Sequence, residues 1–223
     1  MLPIRDHTPS GKIPFFNYSL IAINVIVFFF MFTLPQNELE AFISQYALIP
    51  GLVVKGQNLT TVLTSMFLHG SFGHLFGNML FLYIFGDNLE DRLGSVKYLF
   101  FYFICGLGAS LLQVFINPLS MIPNLGASGA IAGVMGGYLV LFPRHQVDIL
   151  VFFGYFIRTI TVPAYTMLLY WFLIQFLFGL GSLAVPESGG IAYAAHVGGF
   201  VTGVVLLVIF KAAGGAKKDY LVP

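Results

Sequence analysis

The chain has 223 residues, 58% hydrophobic and only 9% charged, with a formal net charge of +1 and a mean hydropathy of +0.89. Soluble globular domains carry about 25% charged residues, so this composition describes an integral membrane protein. The near-neutral charge gives no reason to expect a nucleic-acid partner, and the single cysteine, Cys105, excludes an intrachain disulfide.

Length points to one domain. Open sheets cannot satisfy their backbone in lipid, and the apolar runs are too long for the roughly 9–11-residue strands of a closed barrel. The expected fold is therefore all-α, a polytopic bundle of six transmembrane helices. A short N-terminal segment, 1–17, precedes the membrane domain, 18–211, and a tail, 212–223, follows it. The first apolar run is followed by Thr33-Leu34-Pro35-Gln36 rather than a small-residue cleavage site. It reads as an anchor, not a signal peptide.

A window of about 20 apolar residues places spans at 18–34, 72–89, 96–116, 126–142, 160–180 and 193–211. Between the first two, Asn37 to Ile43 has an amphipathic pattern suited to the membrane interface. The fifth span has the least certain start, because Val151 to Ile157 is also apolar. Pro163 suits the first turn of that helix, where no hydrogen-bond donor is lost.

Basic residues set the direction. Arg5, Lys12, Arg92, Lys97, Arg144, Arg158, Lys211, Lys217 and Lys218 fall on one side of this layout, and only Lys55 on the other. The positive-inside rule makes the populated side, with both termini, cytoplasmic. Spans two, four and six then run inward from the outer face. His74 and Asn78 open span two, Ser128 opens span four and His196 opens span six. All four lie within about two turns of the outer surface at roughly 1.5 Å per residue.

Two of these spans carry glycine rows. Gly129, Gly133 and Gly137 recur every fourth residue in span four, beside Ser128, Ala132 and Gly136. Ala195, Gly199 and Gly203 do the same in span six. Residues four apart share a helix face, and small residues there let membrane helices approach backbone to backbone. His196 shares the face of Gly199 and Gly203, so the packed rows would bring serine and histidine within hydrogen-bond reach. Serine is a weak nucleophile until a base takes its proton, and histidine is the usual base. Asn78 and His74 would donate to a developing oxyanion, helped by backbone N–H groups at the helix N-terminus around Ser128. This is chemistry for acyl transfer at an amide or ester.

Hydrolysis also needs water. Gln113, Asn117, Ser120 and Asn124 either line a wet cavity opening outward or are ordinary interfacial loop residues. Glu187 is the only carboxylate placed to orient His196, and a serine–histidine dyad is the better reading. No metal or cofactor is expected, since no histidine pair has the i, i+4 spacing of a zinc site. His69 reads as interfacial, and His7 and His145 lie on the inner side. Cys105 reads as packing. Asp87, Glu90, Asp91 and Arg92 read as a helix-end ion-pair cluster. Phe28 to Phe30, Trp171 and Phe172 read as lipid-facing, with a substrate gate as the alternative for the last two.

Gly126-x-Ser128-Gly129, Ala195-His196-x-Gly198-Gly199-x-x-x-Gly203 and His74-x-x-x-Asn78, in this order and topology, resemble the rhomboid family of intramembrane serine proteases. Gly86-Asp87-Asn88-Leu89-Glu90-Asp91-Arg92-Leu93-Gly94 is similar to a structural Glu–Arg element of that family. The resemblance runs from about Tyr18 to Lys211. It implies Ser128 as nucleophile, His196 as base, and Asn78, His74 and the Ser128 N–H as oxyanion donors, with Gly126 and Ala127 shaping the loop. It further implies cleavage of transmembrane segments of other membrane proteins, which enter near spans two and five beneath a cap at Pro186 to Ile191.

Two features depart from the family pattern. A tyrosine that stacks on the histidine in some members is replaced by Ala132, leaving Phe200 or Tyr193 to hold the base. The Trp-Arg pair found in the first loop of some members is missing. The short tails suit a prokaryotic plasma membrane. Two rival readings are a small transporter or channel and a non-catalytic membrane-protein chaperone on the same fold.

Overall fold

The computed structural model describes residues 2–8, 10–154, 156–182 and 192–214. The expected cap at Pro186 to Ile191, Glu187 within it, and Lys217 and Lys218 lie outside the described residues.

Six long helices form the bundle: α1 (Phe15–Thr33), α5 (Phe72–Leu93), α6 (Ser95–Ile116), α7 (Ser128–Leu141), α8 (Ala164–Ser182) and α9 (Tyr193–Ala212). Four of them, α1, α6, α8 and α9, are long and apolar enough to cross a membrane, and α7 is a shorter apolar helix. Between α1 and α5 the chain forms α2 (Gln36–Tyr46), where the amphipathic pattern was read, then the single turns α3 (Pro50–Val53) and α4 (Thr61–Thr64) and a 3₁₀ turn at Ser65–Phe67.

The molecule is not all-α. A three-stranded antiparallel sheet, ordered β1-β2-β3, covers one end of the bundle, from β1 (Leu2–Asp6), β2 (Gln146–Phe153) and β3 (Phe156–Pro163). The apolar run at Val151 to Ile157, a candidate start for the fifth helix, is the tip of this hairpin. Val147, Ile149 and Val151, alternate residues on one face of the strand, are all buried, and Asp148 on the other face is buried too. Gly154 turns the chain at a φ of +58°, a conformation glycine adopts without strain. Pro163 accordingly ends β3, and α8 begins one residue later.

Residues 2–8 and 10–17 are bonded to the sheet and to the bundle. Asp148 on β2 accepts from Arg5 Nη2 at 2.8 Å, His7 Nε2 at 2.8 Å and Thr161 Oγ1 at 2.6 Å, stapling the three strands. Asp6 accepts from Asn88 Nδ2 on α5 at 2.7 Å and from the hydroxyl of Tyr138 on α7. Glu90 is buried and accepts from the N–H groups of Phe16 at 3.1 Å and Asn17 at 2.7 Å, capping the free donors at the start of α1. Asp91 pairs with Lys12 at 3.4 Å. The acidic group at the end of α5 therefore clamps the N-terminal segment.

Helix α7 runs through the centre. Every residue from Gly129 to Tyr138 is buried. Its glycines are needed for space. A Cβ at Gly199 of α9 would land on the Gly129 carbonyl oxygen, one at Gly203 on that of Gly133, and one at Gly136 on that of Phe200. On the other side, Gly133 faces Cys105 of α6. Backbone meets backbone along α7 and α9, as the small-residue rows require.

Two outcomes are expected. Gly199→Val drives a branched side chain into the Gly129 carbonyl, costing several kcal/mol as overpacking does. Its unfolding temperature in detergent should fall sharply, whereas Gly77→Ala, which meets open space, should leave it nearly unchanged. The bonds from Thr161 and His7, then Arg5, hold the Asp148 carboxyl down from 3.8 to about 2. A depressed carboxyl stabilises the fold above its unfolded value and loses that contribution as pH falls through the folded one. The protection of the Leu2–Asp6 amides against exchange, relative to the intrinsic rate at each pH, should therefore fall between about pH 4 and 2, and Asp148→Asn should flatten that dependence.

Candidate active site

At the end of the bundle opposite the sheet, Ser128 stands at the first position of α7 and His196 in the first turn of α9. The imidazole Nε2 lies 2.8 Å from Ser128 Oγ. The backbone contact below them makes this meeting possible, since any side chain at Gly199 would push the helices apart. His196 is buried, while Ser128 is half-buried and lines a cavity.

The other nitrogen, Nδ1, lies 2.7 Å from Oε1 of Gln175 on α8. The indole of Trp171, one turn earlier, packs at 5.8 Å from the imidazole with 36° between planes. These residues correct three sequence expectations. Phe200 and Tyr193 do not hold the histidine: Phe200 stacks on Phe172 at 4.5 Å and Tyr193 on Phe178 at 5.8 Å. Trp171 and Phe172 face the bundle rather than lipid alone. Gln175 escaped notice because one glutamine in an apolar helix carries no motif.

His74 and Asn78, on one face of α5, border the turn before Ser128. A Cβ at Gly126 would fall 2.7 Å from His74 Nε2 and 3.6 Å from Asn78 Nδ2, and Gly126 adopts a φ of +126°. Both the conformation and the crowding require glycine there. The turn is fixed by a bond from Gly126 N–H to the Ser65 carbonyl at 2.9 Å, and reciprocal Leu48 and Asn124 backbone bonds, 2.9 and 2.7 Å, tie the first loop to the segment before α7.

His69 is buried, not interfacial. Its Nε2 lies 2.9 Å from Asn78 Nδ2, and its ring is 5.0 Å from that of His74. Burial, then the charge of His74, pull its pKa from 6.5 to about 4. It is neutral at physiological pH, so Nε2 accepts one Asn78 amide hydrogen and the second remains available. The missed signal is the bracket His69, His74, Asn78 around the start of α5.

The cavity beside Ser128 is about 40 Å³ and is lined by Ser65, Ser110, Gln113, Asn124, Gly126 and Ala195, among others. Water needs about 10–15 Å³ and polar partners, so it holds a small number of molecules. Gln113 Oε1 also accepts from the Ala195 N–H at 3.3 Å. Of the four polar residues expected there, Gln113 and Asn124 line this cavity; Asn117 lines a neighbouring one of about 140 Å³, and Ser120 lines neither. Among the described residues, no group of three His, Cys, Asp or Glu side chains is placed to hold a metal.

His69→Leu is expected to strand the Asn78 amide in a buried position, at about 1–3 kcal/mol for an unpaired polar group. The double variant with Asn78→Leu removes both partners and should recover part of the loss, read as unfolding temperature in detergent.

The Rhomboid domain family matches residues 56–213. Over 192 residues the chain is 32% identical to the Saccharomyces cerevisiae mitochondrial rhomboid protein 1, covering 84% of this chain and 51% of that protein. It is 28% identical to the Bacillus subtilis rhomboid protease GluP over 197 residues, 87% of this chain and 34% of the relative. It is 32% identical to the Arabidopsis thaliana RHOMBOID-like protein 4 over 155 residues, 69% and 34% of the two chains. The chain thus spans about a third to a half of these relatives' lengths, and the family match takes in α5 to α9 with Ser128, His196, His74, Asn78, His69, Trp171 and Gln175. This chain is an integral membrane protein of the rhomboid family.

Proposed function

We propose that this protein is an intramembrane serine endopeptidase that cleaves transmembrane segments of other membrane proteins. The observation carrying this reading is the 2.8 Å contact between Ser128 Oγ and His196 Nε2, with Ser128 lining a small cavity that also holds polar groups of Ser65, Ser110 and Gln113. The family supports protease-type chemistry, and the Bacillus subtilis relative is named a protease.

In this reading His196 Nε2 accepts the Ser128 hydroxyl proton as Oγ attacks the scissile carbonyl carbon. The carbonyl oxygen becomes an oxyanion, and the second Asn78 amide hydrogen, His74 and the Ser128 N–H donate to it. The intermediate collapses as His196 returns the proton to the leaving amine, leaving an acyl-serine. A cavity water then attacks that ester and gives its proton to His196, which passes it to Ser128 Oγ as the ester C–O bond breaks, releasing the acid and restoring the free serine and neutral imidazole.

The bundle spans the membrane six times on this reading, with both termini and the sheet on the cytoplasmic side of a prokaryotic plasma membrane. Helix α7 has 14 residues, about 21 Å at 1.5 Å each, short of a hydrocarbon core of about 30 Å. Anchored at its inner end, it sets Ser128 below the outer surface, where the cavity opens outward. Substrate segments arrive from the lipid.

Ser128→Ala should abolish cleavage of a single-span substrate reconstituted in liposomes. His196→Ala should lose nearly all of it, and Asn78→Ala should slow it about 10²–10³-fold, the usual effect of deleting an oxyanion donor. Undiminished cleavage by Ser128→Ala rejects the proposal.

A further inference from the structure

A base that accepts the Ser128 proton through Nε2 must carry its own hydrogen on Nδ1. The tautomer is therefore decided on the side of the ring away from the serine. There the Gln175 carbonyl oxygen sits 2.7 Å from Nδ1. A carbonyl oxygen only accepts, so this contact holds the hydrogen on Nδ1 and leaves the Nε2 lone pair toward Ser128.

Gln175 and Trp171 are four residues apart and share one face of α8. One supplies the acceptor and the other a flat wall against the ring. Translation of the imidazole is limited by the α7–α9 contact, whereas its rotation and tautomer are limited by α8. The groups facing His196 are Ser128 from α7, Gln175 and Trp171 from α8, and His74 of α5 as an electrostatic neighbour. Among the described residues, His196 bonds no carboxylate.

We propose that Gln175 is the positioning residue of the base, completing a Ser128–His196–Gln175 array with a neutral amide in the place of an orienting acid. The inference rests on the protease reading and deepens it. Because the amide carries no charge, it fixes the tautomer without stabilising the imidazolium as a carboxylate would. A carboxylate at this position should move the titration of the base, and a side chain that merely fills space should not.

The experiment is the pH dependence of Ser128 labelling by a fluorophosphonate on the full chain in detergent micelles. Wild type, Gln175→Leu, Gln175→Glu and Ser128→Ala are compared. Gln175→Leu should label about 2- to 10-fold more slowly at neutral pH, the scale of one hydrogen bond. Gln175→Glu should recover to within a few-fold of wild type. Its acid limb should lie at higher pH, because an adjacent negative charge favours the protonated ring.

Equal labelling by Gln175→Leu and wild type overturns the inference. An acid limb unmoved in Gln175→Glu also overturns it, and this arm decides alone where the leucine variant does not fold. Failure of the protease reading looks different: wild type itself stays unlabelled, or Ser128→Ala labels equally.

Discussion

Contact between the bare backbones of α7 and α9 is the constraint on which the site depends. In lipid, two apolar helices gain little from hiding hydrophobic surface from each other, so close approach and dispersion must hold them together. Gly199 rests on the Gly129 carbonyl and Gly203 on that of Gly133, with Gly136 returning the contact to Phe200. A methyl group at any of these points forces the axes apart. The 2.8 Å separation of serine and imidazole one turn above then opens. The same glycines that make the helices weak in isolation thus make the Ser128–His196 contact possible.

Polar groups within the bundle are a liability that this fold meets in part by pairing; among the described residues, Asn24 Oδ1, His69 Nδ1 and the Tyr102 hydroxyl are buried without a hydrogen-bond partner. An unpartnered buried donor costs about 1–3 kcal/mol. Asn78 is matched by His69, His196 by Ser128 and Gln175, and the Ala195 N–H by Gln113. At the opposite end, Asn17 accepts from the Tyr98 hydroxyl at 2.7 Å and donates to the Leu82 carbonyl at 3.1 Å. Helix α7 is thereby tethered at both ends: Ser128 joins α9, and Tyr138 reaches Asp6 of the N-terminal strand. The contacts to His196 Nδ1 and to its ring come instead from α8, the least embedded of the four long apolar helices, with 17% of an 18-residue stretch buried against 28–39% in the others.

Legibility followed the range of the interactions. The glycine rows and the bodies of the six long helices are local periodicities, readable one helix at a time, although the start of α8 was not. The hairpin at 146–163 was readable in part from the alternation of Val147, Ile149 and Val151. The continuous apolar run that follows fits a buried helix equally well, and it concealed the strand. His69 looked interfacial because it precedes the helix, yet the first loop folds back over the site and buries it.

From residues alone came the membrane environment, the helical bundle, Ser128 and His196 as partners in contact, and the glycine faces that bring them together. Each of these follows from hydropathy and from spacing along a single helix. Tertiary structure alone decided which side chain meets His196 Nδ1, which partner holds Asn78, and that the N-terminal segment becomes a strand bonded to α5 and α7. Those pairings join residues 21, 9 and 132 positions apart. They depend on how each helix is rotated about its own axis, and packing against the neighbours sets that angle, not the order of residues within the helix.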